Sequence, residues 1–159
     1  MRPKPFKPVP YAPDARFVAD ATTGLIWHFC ALRTLYADTD RAGVVYHANY
    51  LRYFEVGRAA LMRDVAYSYK EIEDGGTSYP IVKIGIDYFR PLYYDDIMHI
   101  HTRLADMERV RLTFDYTITH EPTGEIVCKG FTCHCAINGN GVPVAIDEKT
   151  AYLWDNFPR

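Results

Sequence analysis

The stretch YADTDRAGVVYHANYLRYFEVGRAALMRDV, residues 36–65, changes character halfway along. Up to His47 it is short-ranged and polar, with two acids two residues apart, Asp38 and Asp40, and a glycine at 43. From Ala48 to about Val65, Leu51, Phe54, Leu61 and Val65 recur at helical spacing, while Tyr50, Tyr53, Val56 and Ala60 widen the apolar surface well beyond one stripe. A helix with so broad an apolar surface is unstable in water unless other elements enclose it. The stretch therefore predicts a loop leading into a largely buried helix, and the flanking sequence must supply the enclosure.

Upstream, Leu25 to Tyr36 is a nearly continuous apolar run containing Trp27, Phe29 and Leu32, the pattern of a strand covered on both faces. Downstream, four segments follow a two-residue period. The clearest sets Val110, Leu112, Phe114, Tyr116 and Ile118 against Arg111, Thr113, Asp115, Thr117 and Thr119. The others run from about Ile81 to Phe89, Ile97 to Asp106 and Glu125 to Asn138. Glu121-Pro-Thr-Gly124 supplies hairpin turn chemistry, and Arg90-Pro91 ends a strand by removing a backbone donor. One enclosed helix after a first strand, then four antiparallel strands, predicts an α+β fold: a curved antiparallel sheet of about five strands wrapped around one long central helix. A short helix near Glu148 to Trp154 closes the chain. Residues 1–23, broken by prolines and without a sustained period, read as an irregular arm draped over the domain or a partner subunit, and 24–159 as one domain.

The chain has 159 residues, 48% of them hydrophobic, enough for one core and too few for two ordinary domains. A net charge of -2 gives no general attraction to nucleic acid or an anionic membrane, so a polyanionic ligand has to meet a local basic cluster. No apolar run has the length of a membrane span, and the basic start lacks the apolar stretch of a signal peptide. A cytoplasmic protein without membrane insertion is the expectation. Cys30, Cys128, Cys133 and Cys135 are expected as free thiols, the last two on one face of a strand.

The polar half of the opening stretch carries the chemistry. The first turn of a helix presents backbone N–H groups without internal partners, and its aligned peptide dipoles make that end partly positive. A carbonyl oxygen gaining negative charge is stabilised there. If a thioester carbonyl points at the N–H groups around His47 and Ala48, a nearby carboxylate can attack its carbon or take a proton from a water that does. Asp40 is that candidate. Gly43, next to Val44, lets the loop bend sharply or lets a ligand approach closely. The His47 side chain is placed to orient water or the acyl group, and Tyr36 to hydrogen-bond the carboxylate. Taken alone, the same residues also describe a solvated turn with a helix cap.

The segment Asp38-Thr-Asp-Arg-Ala-Gly-Val-Val-Tyr-His-Ala-Asn-Tyr-Leu-Arg-Tyr-Phe-Glu-Val-Gly-Arg58 resembles the signature of the 4-hydroxybenzoyl-CoA thioesterase family of hotdog proteins. It is particularly similar to the short bacterial acyl-CoA thioesterases associated with the Tol-Pal cell-envelope system. Weaker similarity continues through Tyr88-Phe-Arg-Pro-Leu-Tyr-Tyr-Asp-Asp-Ile97, covering roughly residues 28 to 138 by pattern. The resemblance implies a hotdog fold and hydrolysis of acyl-CoA to free acid and CoA without a cofactor. It puts the catalytic carboxylate on Asp40 and the carbonyl-polarising amide on His47; the His47 side chain and the Tyr36 phenol match positions that some members use. It also implies sheet-to-sheet dimers, often paired into homotetramers, with the active site at the subunit interface. Met107-Glu-Arg-Val-Arg111 departs from the family's small or glycine-containing turn, and Arg109 and Arg111 become candidates for the CoA phosphates.

Other readings carry less. Glu55 on the helix is the acid that a second division of hotdog thioesterases would use, and its plainer role is an ion pair with Arg52 or Arg58. Asp38 reads as loop-shaping through bonds to following backbone groups. His99, His101 and Cys133-His134-Cys135 lack the spacing of a metal site. Tyr93 and Tyr94 read as packing rather than as a nucleic-acid stacking platform. A hotdog enoyl-thioester hydratase or dehydratase, a thioesterase acting on acyl-carrier protein, and a non-catalytic acyl-CoA binding module are the alternative functions.

Overall fold

The computed structural model describes residues 1–159. In chain order the strands are β1 (Pro8–Pro10), β2 (Phe17–Asp20), β3 (Ile26–Arg33), β4 (Ile81–Tyr88), β5 (Ile97–Met107), β6 (Arg111–His120) and β7 (Ile126–Cys135). The helices are α1 (Asn49–Asp64) and α2 (Tyr69–Asp74), both between β3 and β4, and α3 (Glu148–Asn156) at the end. The strands form one seven-stranded sheet in the order β1-β2-β3-β5-β6-β7-β4, with every neighbouring pair antiparallel. No helix is long and apolar enough to cross a membrane.

α1 packs across β5, β3 and β6, as its broad apolar surface requires. Phe54 and Leu61 are fully buried, and the Phe54 ring stacks on Tyr116 of β6 at 4.2 Å between centroids. The approach is close enough to demand a glycine in mid-helix. A Cβ at Gly57 would lie 2.5 Å from Thr102 Oγ1 and 2.6 Å from the Ile100 methyl. Helix propensity is given up there, roughly 1 kcal/mol against alanine, so that the helix can rest on β5.

The sheet has seven strands rather than about five because residues 1–23 are not the irregular arm expected from their prolines. β1 and β2 pair with each other, and β2 pairs with β3. Prolines are tolerated on an edge strand where the missing N–H would face solvent. Lys7, between them, makes the inward contacts: its N–H donates to Asp20 Oδ1 and its carbonyl accepts from Ala21 N. The buried Asp20 carboxylate also accepts from Thr22 and Thr23. Burial pushes its pKa up, but these hydrogen bonds outweigh burial and hold it below the ordinary value. The first expected strand is also shorter, ending at Arg33 instead of Tyr36. Beyond it Thr34 exchanges backbone bonds with Asp96 and Asp95, and Tyr36–Asp38 turns as a 3-10 helix.

Beneath α1 a chain of buried polar groups runs from Arg58 Nη1 to the Tyr116 hydroxyl, on to Thr132 Oγ1, His134 Nε2 and, through His134 Nδ1, the carbonyl of Tyr79. Burial holds the His134 imidazole down to about 4. On the opposite face His101, packed between Phe6 and Phe29, is held down to about 3, again mainly by burial. The four cysteines are free, but only Cys128 is fully buried; Cys30, Cys133 and Cys135 are half-buried.

The two histidines set a pH dependence. Both fold neutral, with pKa values below the 6.5 of the unfolded chain. Below pH 6.5 the unfolded state therefore binds more protons, and stability falls as pH falls. Denaturant unfolding at pH 7 and pH 5 should show a loss on the order of 1–2 kcal/mol for each histidine. Equal stability at the two values would refute the buried neutral assignment.

Candidate active site

Asp40 opens a tight turn. Its carbonyl accepts from Gly43 N at 2.9 Å and its own N–H donates to Val44 O at 2.8 Å, with Thr39 and Val45 bridged across the turn. Gly43 sits at φ +80, and nothing lies within 4 Å of where its Cβ would be. Glycine is therefore used for its left-handed backbone in a three-residue hairpin loop, not for room against the protein. The half-buried Asp40 carboxylate accepts Ala42 N on Oδ1 at 2.8 Å, and Oδ2 makes no hydrogen bond within the chain. One oxygen is fixed by its own loop and the other is available to a ligand or water.

The turn is tied to the fold on both sides. Val45 N donates to Leu92 O at 2.8 Å, and Val44 bridges Tyr93, so the segment after β4 holds the loop's second limb. α1 then begins without a side-chain cap at Ala48. The amides of Asn49 and Leu51 bond back to Tyr46 and Ala48, but those of His47 and Ala48 have no acceptor in the chain. These are the two donors that the oxyanion argument needs. The His47 carbonyl accepts from the Tyr88 hydroxyl of β4 at 2.7 Å, which fixes the peptide plane that carries the Ala48 amide. The His47 imidazole is exposed and leans on the Tyr46 ring at 4.4 Å.

Asp38, not Asp40, is the deeply buried acid, only 4% exposed. Its carboxylate accepts from Leu35 N at 3.1 Å and from the Tyr53 hydroxyl at 2.9 Å, with Arg52 at 3.4 Å. Its carbonyl accepts Tyr46 N and the Asn49 side-chain amide. It does shape the loop, but by reaching back to Leu35 and across to α1 rather than forward along the backbone. Burial and the hydrogen bond to Asp38 push the Tyr53 phenol well above its usual value.

Three expected roles find different surroundings. Tyr36 is 78% exposed and packs edge-on against Tyr94 at 5.8 Å. Its phenol makes no hydrogen bond to Asp40; only its carbonyl is engaged, by Thr39. Glu55 forms no ion pair: Arg52 is drawn to Asp38, and Arg58 points inward to Tyr116. Arg109 and Arg111 are exposed at the β5–β6 turn, the end of the sheet where Arg111 pairs with Cys135. The Asp40 loop follows β3 at the other end, where Arg33 pairs with Ile97. Within one chain the fold does not bring these arginines to the site. Sequence reading missed Tyr88 and Tyr53 as polar groups of the site, because aromatic residues in a strand and a helix read first as packing.

If Asp38 and Tyr53 act together to hold the loop on α1, their effects on stability should not add. Asp38→Ala should cost at least about 2 kcal/mol and Tyr53→Phe about 1. The double variant should fall short of their sum by about 1 kcal/mol in denaturant titrations. Simple additivity would mean that the contact holds nothing.

Residues 34–152 match the model of the thioesterase-like superfamily. Among its relatives, YneP of Bacillus subtilis, named as a candidate acyl-CoA thioesterase, is 39% identical over 103 residues, 65% of this chain and 74% of that one. The acyl-CoA thioester hydrolase YbgC of Escherichia coli O157:H7 is 30% identical over 89 residues, 56% of this chain and 66% of that one. The solved structure of a DHNA-CoA thioesterase from Staphylococcus aureus superposes with a TM-score of 0.73 at 26% identity, covering 82% of this chain and 94% of the other. The uncapped helix start beside a carboxylate loop thus stands inside a sheet-wrapped helix shared with these proteins, and the chain belongs to the thioesterase-like superfamily, as a hotdog-fold thioester hydrolase.

Proposed function

We propose that the protein hydrolyses acyl-CoA thioesters to a carboxylic acid and free CoA, with Asp40 as the reacting carboxylate. The observation that carries this reading is the pairing of two acceptor-free amides, His47 and Ala48, with a carboxylate in the loop that leads into them whose Oδ2 is unengaged. The thioester oxygen accepts from those amides and gains negative charge as the carbonyl carbon becomes tetrahedral. Asp40 either adds to that carbon or takes the proton of the attacking water. Collapse breaks the C–S bond, and the thiolate leaves to be protonated as CoA. If Asp40 adds first, water hydrolyses the resulting anhydride and restores the carboxylate.

The relatives' names support acyl-CoA as the substrate, and every step uses groups of the chain and water alone. The half-open site also fits the proposed homodimer. β4 is an edge strand with Ile81, Val82, Ile84 and Tyr88 exposed, an apolar edge of the kind that pairs with another copy. Antiparallel pairing of two β4 strands sets the partner copy beside Tyr88, and so beside His47. Such dimers would be the units of any homotetramer. A cytoplasmic location goes with CoA as the substrate.

Asp40→Asn keeps the turn's hydrogen-bond acceptor and removes the base or nucleophile. It should lower kcat/KM for acyl-CoA at least about a hundredfold while the melting temperature stays within a few degrees. Undiminished hydrolysis across short, long and aryl acyl-CoAs would remove Asp40 from the mechanism.

A further inference from the structure

Arg58 is a buried cation without a counter-ion. It is 8% exposed, and its Nη1 donates to the neutral hydroxyl of Tyr116 at 3.0 Å. The groups beyond that hydroxyl, Thr132 and the neutral His134, carry no negative charge. Its Nε has no partner, its Nη2 makes no hydrogen bond within the chain, and no carboxylate forms an ion pair with it. The guanidinium also lies 5.6 Å from the centre of the Tyr69 ring, whose buried hydroxyl is without a partner too. A buried charge is normally matched by an opposite one, because the solvation that it gives up has to be replaced. At Arg58 the fold holds the cation in place and leaves the opposite charge to come from outside the chain.

Arg58 stands in the wall of an open pocket of about 470 Å³, with Tyr69, Ser78, Tyr79 and Pro80. Glu55 and Glu73 line the same pocket, but both are exposed, so water and salt screen their charges while the buried cation keeps its field. β4 links this pocket to the helix start. Ser78, Tyr79 and Pro80 lead directly into β4, and at its other end Tyr88 bonds the His47 carbonyl. Ile84, Ile86 and Tyr88 lie opposite Thr132, Gly130 and Cys128, on the face of the sheet that carries α1, where a Cβ at Gly130 would meet Phe54 at 2.8 Å. Ile84 and Tyr88 are exposed and Ile86 is half-buried. An apolar row therefore runs from the acceptor-free amides to the buried cation. From Ala48 to Arg58 the helix advances about 15 Å, the reach of an extended chain of roughly ten carbons. Pairing of two β4 edges engages their backbones and leaves this row facing α1.

We propose that the pocket at Arg58 takes the far end of the acyl group and that this end is a carboxylate, so that the preferred substrates are CoA monothioesters of straight-chain dicarboxylic acids. The inference rests on the acyl-CoA reading above and names the substrate class within it. The thioester carbonyl sits at the helix start, the methylene chain covers Tyr88, Ile86 and Ile84, and the terminal carboxylate supplies the charge that Arg58 lacks. Nε and Nη2 are the uncommitted donors of the guanidinium, the side-on pair whose fork matches two carboxylate oxygens. A chain ending in a methyl group covers the same row and leaves the cation unpaired.

The test is calorimetric titration of two non-cleavable CoA thioethers of equal chain length, one ending in a methyl group and one in a carboxylate. Wild type should bind the carboxylate-ended thioether at least about tenfold more tightly than the methyl-ended one. Arg58→Gln should abolish that preference, and Arg58→Lys, which keeps the charge without the fork, should retain part of it. Equal affinity of the wild type for the two thioethers, tighter binding of the methyl-ended one, or a preference that survives Arg58→Gln would overturn the assignment. The wild-type comparison decides the matter even where Arg58→Gln does not fold. Thiol release from the two matching thioesters separates the claims. Cleavage of both with equal kcat/KM and equal thioether affinity sinks the carboxylate pocket and keeps the hydrolysis. A carboxylate preference in binding without cleavage of either thioester keeps the pocket and sinks the hydrolysis.

Discussion

A buried carboxylate holds the Asp40 loop to the central helix. Asp38 accepts from the backbone ahead of it at Leu35 and from Tyr53 one turn into α1, while its carbonyl takes Tyr46 N and the Asn49 amide. A carboxylate this deep is costly to desolvate unless its lone pairs are filled, and here donors from both sides fill them. The result is a fixed angle between the loop and the start of α1. Asp40, two residues later, inherits its position from that clamp and can leave one oxygen unengaged. In the motif Asp-Thr-Asp, the first acid is buried and fully bonded, and the second keeps one carboxylate oxygen unengaged.

The sheet supplies the second constraint. α1 has to lie against β5 with its amino end at the rim, and the close approach at Gly57 fixes how deep it sits. Once there, its start has no side-chain cap, and the amides of His47, Ala48 and Tyr50 remain without acceptors. Elsewhere in the molecule helix starts are capped: Ser68 accepts Glu71 N ahead of α2, and Asp147 accepts Thr150 N ahead of α3. A helix start left open beside a carboxylate, in a chain that caps its other two helices, is a local departure from stability rules of the kind expected at a site of function.

Much of this was legible in the sequence. The α1 boundaries, the four strands from Ile81 onward and the closing helix follow from hydrophobic period and turn residues, since those patterns are what burial against a sheet demands. The resemblance chose Asp40 over Asp38 and Glu55. What stayed hidden depended on contacts between distant residues. The arm's two strands were masked by prolines whose missing donors face outward, which composition does not reveal. Tyr53 and Tyr88 counted as apolar surface because their hydroxyl partners, Asp38 and the His47 carbonyl, become neighbours only in the fold. Arg109 and Arg111 looked like phosphate ligands by residue type, and strand register places them at the opposite end of the sheet.

The central claim is that this geometry cleaves a thioester rather than holding one or adding water to its acyl chain. The most direct measurement is release of free thiol, with mass-spectrometric identification of the acyl product, when the purified protein turns over a panel of saturated, enoyl and aryl CoA thioesters. The account predicts one equivalent of free CoA and one of unmodified carboxylic acid for each thioester consumed. Tight binding without thiol release, or conversion of enoyl-CoA to hydroxyacyl-CoA with the thioester intact, would contradict it.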